Sequence, residues 1–293
     1  MYKLTLKSKS SYFYHDSTML GHYLAGVWEG DGHTKKNKSS GKTTVHITMH
    51  KQQKVYAEKL LGLLSRLCDN DPVGSVHFRR DNSSCVLNIF TPRGLMLIVQ
   101  LMGDKLKTPK ALQLNDVIDW LNIKHNTSLL HVSFQKEVTI LDSPWFAGFT
   151  DADGSFGIDL STKTRLKISC QFQINQRMTD PKENSLDYGS LFRGIALALG
   201  VNLQTPIEKK SGRNYYVVKA TSRKSKDILR NYFDVNLLLT SKFLDYKDWC
   251  AVDNLLKKKE NRKYLKQIQT LKGKMNNSRR VFTWHHLDCF SAF

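Results

Sequence analysis

The sequence predicts an α+β protein built from two copies of one αββαββα unit, and three observations carry that prediction. A nine-residue pattern occurs twice, as Leu24-Ala-Gly-Val-Trp-Glu-Gly-Asp-Gly32 and as Phe146-Ala-Gly-Phe-Thr-Asp-Ala-Asp-Gly154. Each copy is followed by strand-like and helix-like stretches in a parallel order. A shorter echo then closes each unit, Thr108-Pro-Lys110-Ala-Leu112 against Thr240-Ser-Lys242-Phe-Leu244. Lys110 lies 78 residues past Gly32 and Lys242 lies 88 past Gly154; the loop Thr179-Asp-Pro-Lys-Glu-Asn-Ser185, without a first-half counterpart, accounts for the difference. Self-similarity of this kind marks duplicated supersecondary units.

The elements follow from periodicity. Each motif reads as a short helix of about two and a half turns, stopped by a glycine at C′. In the first unit, 45–50 alternates as a strand, 55–67 has helical spacing, 73–78 and 85–90 are strand-like, and 95–106 and 112–121 are helical. In the second, 156–160 and 166–174 read as strands, 191–199 as helix, 203–207 and 215–220 as strands, and 228–239 and 243–256 as helices. The domain division is 1–122 for the first unit, 123–143 for a linker, 144–260 for the second unit and 261–293 for a basic C-terminal extension. The linker is polar at 124–128 and semi-apolar afterwards, which predicts that it packs down.

Composition bounds the class. The chain has 293 residues, 40% of them hydrophobic, enough for a packed core. No apolar run approaches the roughly 18–20 residues of a membrane span; the best, Leu95 to Met102, is interrupted by Gln100. The N-terminus lacks the apolar stretch of a secretory signal. Cys68, Cys85, Cys170, Cys250 and Cys289 form no CxxC pair, against both a disulfide scaffold and a zinc ribbon and in favour of a reduced compartment. His285, His286 and Cys289 lack a fourth ligand at a sensible spacing for zinc. Lys and Arg number 45 against 26 Asp and Glu, a formal charge of +19. Such a surplus repels itself and points to a polyanionic partner, with a merely basic surface or an anionic membrane contact as the alternatives.

The paired motif carries the chemistry. Gly26 and Gly30, and Gly148 and Ala152, are four apart and share a helix face. A face bare of side chains lets two backbones approach closely. If the two helices pack together, the carboxylates of Asp31 and Asp153 emerge side by side. Like charges repel, and each acid sits at the negative end of its helix dipole. A divalent cation relieves both penalties, and Asp oxygens with backbone carbonyls and water are the ligand set Mg²⁺ prefers. Paired carboxylates with divalent ions also serve in-line phosphodiester hydrolysis. A lone Asp-Gly would read as a turn; two copies of the whole pattern do not.

With these motifs the chain resembles the LAGLIDADG homing endonucleases of the single-chain, two-motif type, over about residues 20 to 260. The resemblance implies two αββαββα halves related by pseudo-twofold symmetry, the motif helices at their interface, and saddle-shaped antiparallel sheets facing the DNA major groove. It implies a monomer with an internal pseudo-dimer that cuts both strands of a long, nearly unique, asymmetric site, leaving short 3′ overhangs. Mg²⁺ would be the cofactor, with Mn²⁺ or Ca²⁺ as substitutes in binding and Ca²⁺ not expected to support efficient cleavage. Carried over by position, Asp31 and Asp153 would ligate metal and the carbonyls of Gly30 and Ala152 would complete the inner shell. Lys110 and Lys242 would stabilise transition-state charge. Gln176 matches the polar residue that ends the second strand of a half; in the first half that place falls at Lys51 or Gln52. Glu29 and Asp151 are expected to serve the interface or the helix ends.

The DNA-reading surface is legible as a period-two strand. Arg165, Lys167, Ser169, Gln171, Gln173 and Asn175 point one way, opposite Leu166, Ile168, Cys170, Phe172 and Ile174. That polar face has no acid, and its Arg, Lys, Gln and Asn are the side chains that read base edges. Thr44, His46, Thr48 and His50 occupy the comparable face in the first half, and all of these are expected to contact bases. Lys35-Lys36-Asn37-Lys38, Lys209-Lys210 and Arg223-Lys224 are expected to hold phosphates. The basic tail adds backbone contacts or is solvated.

Other functions on the same fold are a maturase that assists splicing of its host intron RNA, a non-catalytic DNA-binding regulator, and an intein-embedded nuclease. Both metal acids are intact, no segment is left over for a helix-turn-helix domain, and the chain lacks splicing junctions; a free-standing nuclease is the best reading. The form His22-Tyr-Leu-Ala-Gly26 to His33 looks like enzymes of group I introns in fungal or algal mitochondria, which implies an organellar protein, mitochondrial or chloroplast.

Overall fold

Asp16 starts the first helix by accepting the Thr18 N–H on its carboxylate at 2.8 Å, a side-chain cap for a free helical donor. Helix α1 (Ser17–Asp31) runs well beyond the motif, and its buried residues lie on every side rather than on one stripe. A helix apolar all round belongs in an interior. The computed structural model describes residues 16–134, 139–161, 165–179, 186–208 and 214–292.

From α1 the chain passes into β1 (Gly32–Lys36), β2 (Thr43–His50), α2 (Lys54–Arg66), β3 (Gly74–Phe78), β4 (Ser84–Ile89), α3 (Pro92–Met102) and α4 (Asn115–His125). The same order recurs as α5 (Trp145–Asp153), β5 (Gly154–Ser161), β6 (Lys167–Arg177), α6 (Gly189–Leu199), β7 (Leu203–Glu208), β8 (Asn214–Ala220), α7 (Arg223–Val235) and α8 (Lys242–Lys257). Each set forms a 4-stranded antiparallel sheet, ordered β1-β2-β4-β3 and β5-β6-β8-β7. The mixed α+β architecture expected from the repeat is therefore present. Strand β1 has no apolar alternation and was not legible in the sequence. Two other readings shift. The helix expected over 95–106 ends at Met102 and the one expected over 112–121 begins at Asn115, after a 3₁₀ turn at Pro109–Leu114; α7 begins and ends about one turn before the expected 228–239.

The glycines that end the motif helices are not left-handed caps. Gly32 and Gly154 are extended, with φ of −87° and −77°. Proximity is what excludes a side chain. A Cβ on Gly32 would lie 2.1 Å from Cδ1 of Trp28, and one on Gly154 2.6 Å from Cγ2 of Thr150. The chain turns from helix directly into β1 or β5 over its own last helical turn.

The segment after α4 packs down as expected. Asn122 holds the Leu129 N–H and carbonyl at 2.9 Å each, and Asn115 holds those of Val132 at 2.8 and 3.1 Å. The C-terminal extension is not a solvated tail: α9 (Leu265–Gly273) buries Ile268, and Met275, Arg279, Leu287 and Phe290 are buried beyond it. Among the described residues no helix is long and apolar enough to cross a membrane.

Candidate active site and nucleic-acid interface

The site is built by how α1 meets α5. A Cβ on Gly26 would fall 2.0 Å from the carbonyl oxygen of Trp145, and one on Gly148 2.0 Å from that of Tyr23. The contact is reciprocal, as in an isologous two-fold interface. Near its end, a Cβ on Gly30 would lie 2.2 Å from that of Ala152 and 3.2 Å from Oδ2 of Asp153. The small-residue faces thus bring the two helix ends, and Asp31 and Asp153 with them, to one place.

The acid two residues before each terminal aspartate ties the helices together. Glu29 is fully buried and accepts the indole N–H of Trp145 at 2.6 Å, with the backbone N–H groups of Lys107 and Thr108 at 2.9 and 2.5 Å. Asp151 accepts the Tyr23 hydroxyl at 2.7 Å, the Leu239 N–H at 2.7 Å and the Thr240 hydroxyl at 2.5 Å. Each acid therefore grips the opposite motif helix and the loop that leads to its own unit's lysine. Burial pushes the Glu29 carboxyl up to about 7 although its hydrogen bonds favour the ionised form, and burial likewise raises Asp151.

Those loops deliver the lysines. Lys110 Nζ donates to the Gly30 carbonyl at 2.8 Å, and Lys242 Nζ to the Ala152 carbonyl at 2.6 Å and the Thr150 carbonyl at 3.1 Å. The two carbonyls assigned to the metal shell thus already hold an ammonium group, though a carbonyl keeps a second lone pair. Burial lowers the Lys242 pKa, and the charges of Asp31, Asp151 and Asp153 oppose that. Asp31 is pushed up to about 6, first by burial and then by Asp153, while Lys242 and Lys110 pull it down.

Gln176 reaches the centre on one side. Its Nε2 donates to Oδ2 of Asp153 at 2.9 Å, and its Oε1 accepts the Arg177 N–H at 3.0 Å. At the equivalent place the first unit has no such amide. Gly32 pairs with Ile47 as Gly154 pairs with Ile174, so Met49 occupies the place of Gln176, and it is buried. Lys51 and Gln52 lie past β2 in a 3₁₀ turn, so neither fills that place. Beside them, Gln53 crosses to the second unit, donating to the Ser241 hydroxyl at 2.6 Å and accepting the Ser241 N–H at 3.0 Å.

A divalent cation fits this donor set. Two carboxylates meet where burial and mutual repulsion both resist ionisation, and a 2+ charge offsets both. Among the described residues no group of three or more His, Cys, Asp or Glu gathers for a metal, so the shell would be completed by carbonyls and water.

On the sheets, Lys167, Ser169, Gln171, Gln173 and Asn175 face away from the core, while Cys170, Phe172 and Ile174 are buried. Arg165 precedes β6 in an exposed bend, off the strand to which the sequence assigned it. The face is also not free of acid: β5 brings Asp159 opposite Ser169, and Gln171 Nε2 donates to it at 3.3 Å. In the first sheet His46 Nε2 sits 2.8 Å from the Thr44 hydroxyl, its ring stacks on His33 at 5.1 Å, and His50 is exposed. Burial and then the charges of His33 and Lys35 hold His46 down at about 4, a neutral ring at pH 7. Asn88, across from His46 on β4, was missed by sequence reasoning because β4 reads as a nearly continuous apolar run. Buried oxygens of Thr48, Asn88 and Gln171 have no partner among the described residues. Lys35 to Lys38 and Arg223 and Lys224 are exposed; Lys209 and Lys210 lie outside the described residues.

Residues 146–252 match the model of the LAGLIDADG endonuclease family. A probable intron-encoded DNA endonuclease aI1 of Mycosarcoma maydis is 31% identical over 94% of its length and 40% of this chain. The chain belongs to the LAGLIDADG endonuclease family. Other relatives extend the likeness along the chain. The intron-encoded DNA endonuclease aI3 of Saccharomyces cerevisiae is 28% identical over 92% of this chain and 72% of its own. An uncharacterized cox1 intron-2 protein of Schizosaccharomyces pombe is 29% identical over 80% of this chain and 65% of its own. The intron-encoded RNA maturase bI4 of Saccharomyces cerevisiae is 27% identical over 55% of this chain, but only 23% of the maturase is covered. In fold the chain is similar to the LAGLIDADG homing endonuclease I-GzeII in complex with its DNA target (TM-score 0.66, 17% identity, 89% and 99% of the two chains). It is also similar to I-SmaMI bound to uncleaved DNA with calcium ions (TM-score 0.63, 20% identity, 87% and 98%).

Proposed function

We propose that this chain is a homing endonuclease that makes a double-strand break in a long, asymmetric DNA target by metal-dependent phosphodiester hydrolysis. The observation that carries the proposal is the meeting of Asp31 and Asp153 at the α1–α5 junction, each acid with a lysine delivered to its helix end. The reading takes 1–122 and 144–260 as the two units, each serving one DNA strand within a monomer. Double-stranded DNA as partner is supported by the DNA complexes of the similar structures.

Asp31 and Asp153, with the carbonyls of Gly30 and Ala152, would hold the divalent ion, which we take to be Mg²⁺. When bound, it supplies charge stabilisation to the attacking and leaving oxygens of an in-line displacement. Lys110 and Lys242, fixed by backbone carbonyls, hold positive charge where the phosphorane charge develops. Gln176 orients the Asp153 carboxylate and bears on that half alone. Lys167, Ser169, Gln171, Gln173 and Asn175, with Thr44, His46, Thr48 and His50, present hydrogen-bonding groups to base edges. Arg165, exposed and off the strand, would contact the DNA backbone instead. We assign the protein to the organelle whose introns encode such enzymes, the mitochondrion, a reading supported by its cox1 intron relative.

The test is incubation of the purified chain with cloned intronless exon junctions, with Mg²⁺ or with EDTA. Double-strand cutting at one junction, lost in EDTA, is expected; tight specific binding without cutting across a broad panel would refute it. The maturase relative favours one further assay, splicing of the host intron RNA, in which the chain would act on RNA without cutting DNA.

A further inference from the structure

The extension crosses from one unit to the other. Asn276 Nδ2 donates to the Phe156 carbonyl of β5 at 3.0 Å, and its N–H to Asp245 of α8 at 3.0 Å. The buried Arg279 guanidinium donates to Asp245 at 2.7 and 3.0 Å and to Asp248 at 2.7 Å. Farther on, the His286 ring stacks on Phe243 with centroids 4.3 Å apart, its Nε2 3.1 Å from the Leu239 carbonyl. The last stretch reaches α2 of the first unit, where Lys59 meets Asp288 at 3.2 Å and Arg66 donates to the Phe290 carbonyl at 2.5 Å.

In crossing, this strap closes one side of a groove of about 660 Å³. The end of β2 and its 3₁₀ turn line it with His50 and Lys51, the starts of β5 and α8 with Ser155 and Lys242, and the strap with Asn277 and Arg280. Asp245 also lines it, but its carboxylate is engaged by Arg279, so the free charge of the groove is positive. Arg280 Nη1 donates to the carbonyls of Asn277 and Arg279 at 2.9 and 3.3 Å. That fixes the guanidinium while leaving its other N–H groups without a partner among the described residues. Lys51 is exposed and likewise makes no ion pair there.

We infer that this groove binds a backbone phosphate of the DNA target next to the cleavage position, through Arg280 and Lys51. The inference rests on the endonuclease reading. Ser155, which lines it, pairs with Gln173 on the sheet face that reading assigns to DNA, so the groove borders the same surface. A planar guanidinium and an ammonium lining one groove suit one anionic oxygen cluster. The extension thereby adds affinity at the centre of the target without reading its sequence.

The test measures binding of the full chain to the junction duplex that it cuts, across a salt series, for wild type, Arg280→Ala, Arg280→Lys and Lys51→Ala. Each alanine variant is expected to lose about tenfold in affinity near physiological salt and to flatten the log–log salt slope by about one, with melting temperature unchanged and Arg280→Lys intermediate. Wild-type affinity and slope in both alanine variants would overturn the inference. A loss confined to host intron RNA, with duplex binding unchanged, would overturn it in favour of an RNA-binding groove. A wild-type chain that neither binds nor cuts any junction would instead sink the endonuclease reading, and the groove with it.

Discussion

Glu29 of the first motif helix accepts the indole N–H of Trp145, the first residue of the second motif helix, at 2.6 Å. The reciprocal bond runs from the Tyr23 hydroxyl to Asp151 at 2.7 Å. These two acids therefore lock the helices that place Asp31 and Asp153, and they do so from inside the interface. Removing the donor alone, as in Trp145→Phe, leaves a buried carboxylate short of one partner and should destabilise the protein by about 1–3 kcal/mol. Urea unfolding monitored by circular dichroism reads this directly; an unchanged midpoint and slope would show that the bond adds nothing.

Gly26 offers a sharper probe of the same interface. A methyl group there would collide with the Trp145 carbonyl at 2.0 Å, and backbone yields less than a flexible side chain. Gly26→Ala should lower stability by at least the roughly 1–3 kcal/mol typical of overpacking. It should also slow cleavage more than it weakens DNA binding, because the sheets move less than the helix ends. Equal losses in both would argue that the helices do not set the spacing of the acids.

Lys242→Met removes the charge beside the Ala152 carbonyl and keeps much of the side-chain volume. By analogy with the loss of one preorganised electrostatic group, single-turnover cleavage should fall about 10²- to 10³-fold, with duplex affinity changed far less. Gln176→Ala should slow the cut on one strand more than on the other, since Met49 leaves the first unit without the matching amide. Strand-specific labels on the target resolve this; equal slowing of both strands would contradict the assignment.

Asp253 joins α8 to α7 through Lys226 at 2.5 Å and Arg230 at 3.1 Å, and pairs within α8 with Lys257 at 3.5 Å. Burial works against its charged form, but these three cations outweigh that and hold the carboxyl below its usual value. A depressed folded-state pKa contributes stability above the unfolded value of about 3.9 and loses it as pH falls through the folded one. Asp253→Asn should therefore be less stable than wild type at pH 7, by about 1–3 kcal/mol, and the gap should close below about pH 3.9. A gap that persists at pH 2 would mean packing rather than charge.

Much of this was legible in the residues because duplication repeats the signal. The nine-residue pattern marks the helix pair, its small-residue face and the two terminal acids, and the alternation from Lys167 to Asn175 marks β6 and its polar face. Three features stayed hidden for physical reasons. Strand β1 carries no alternating apolar face, so Lys35 and Lys36 read only as a charge cluster. Met49 takes the place of Gln176 only because of sheet register, which spacing alone does not reveal. The extension's course depends on tertiary partners such as Asp245 and Asp248, far away in sequence.

The most direct measurement compares wild type with Asp31→Asn and Asp153→Asn on the cleaved junction in Mg²⁺, with duplex affinity measured in Ca²⁺. The account predicts that both variants bind the duplex within a few-fold of wild type and fail to make the double-strand break. Double-strand cleavage at the wild-type rate by either variant would contradict the claim that these two acids form the centre.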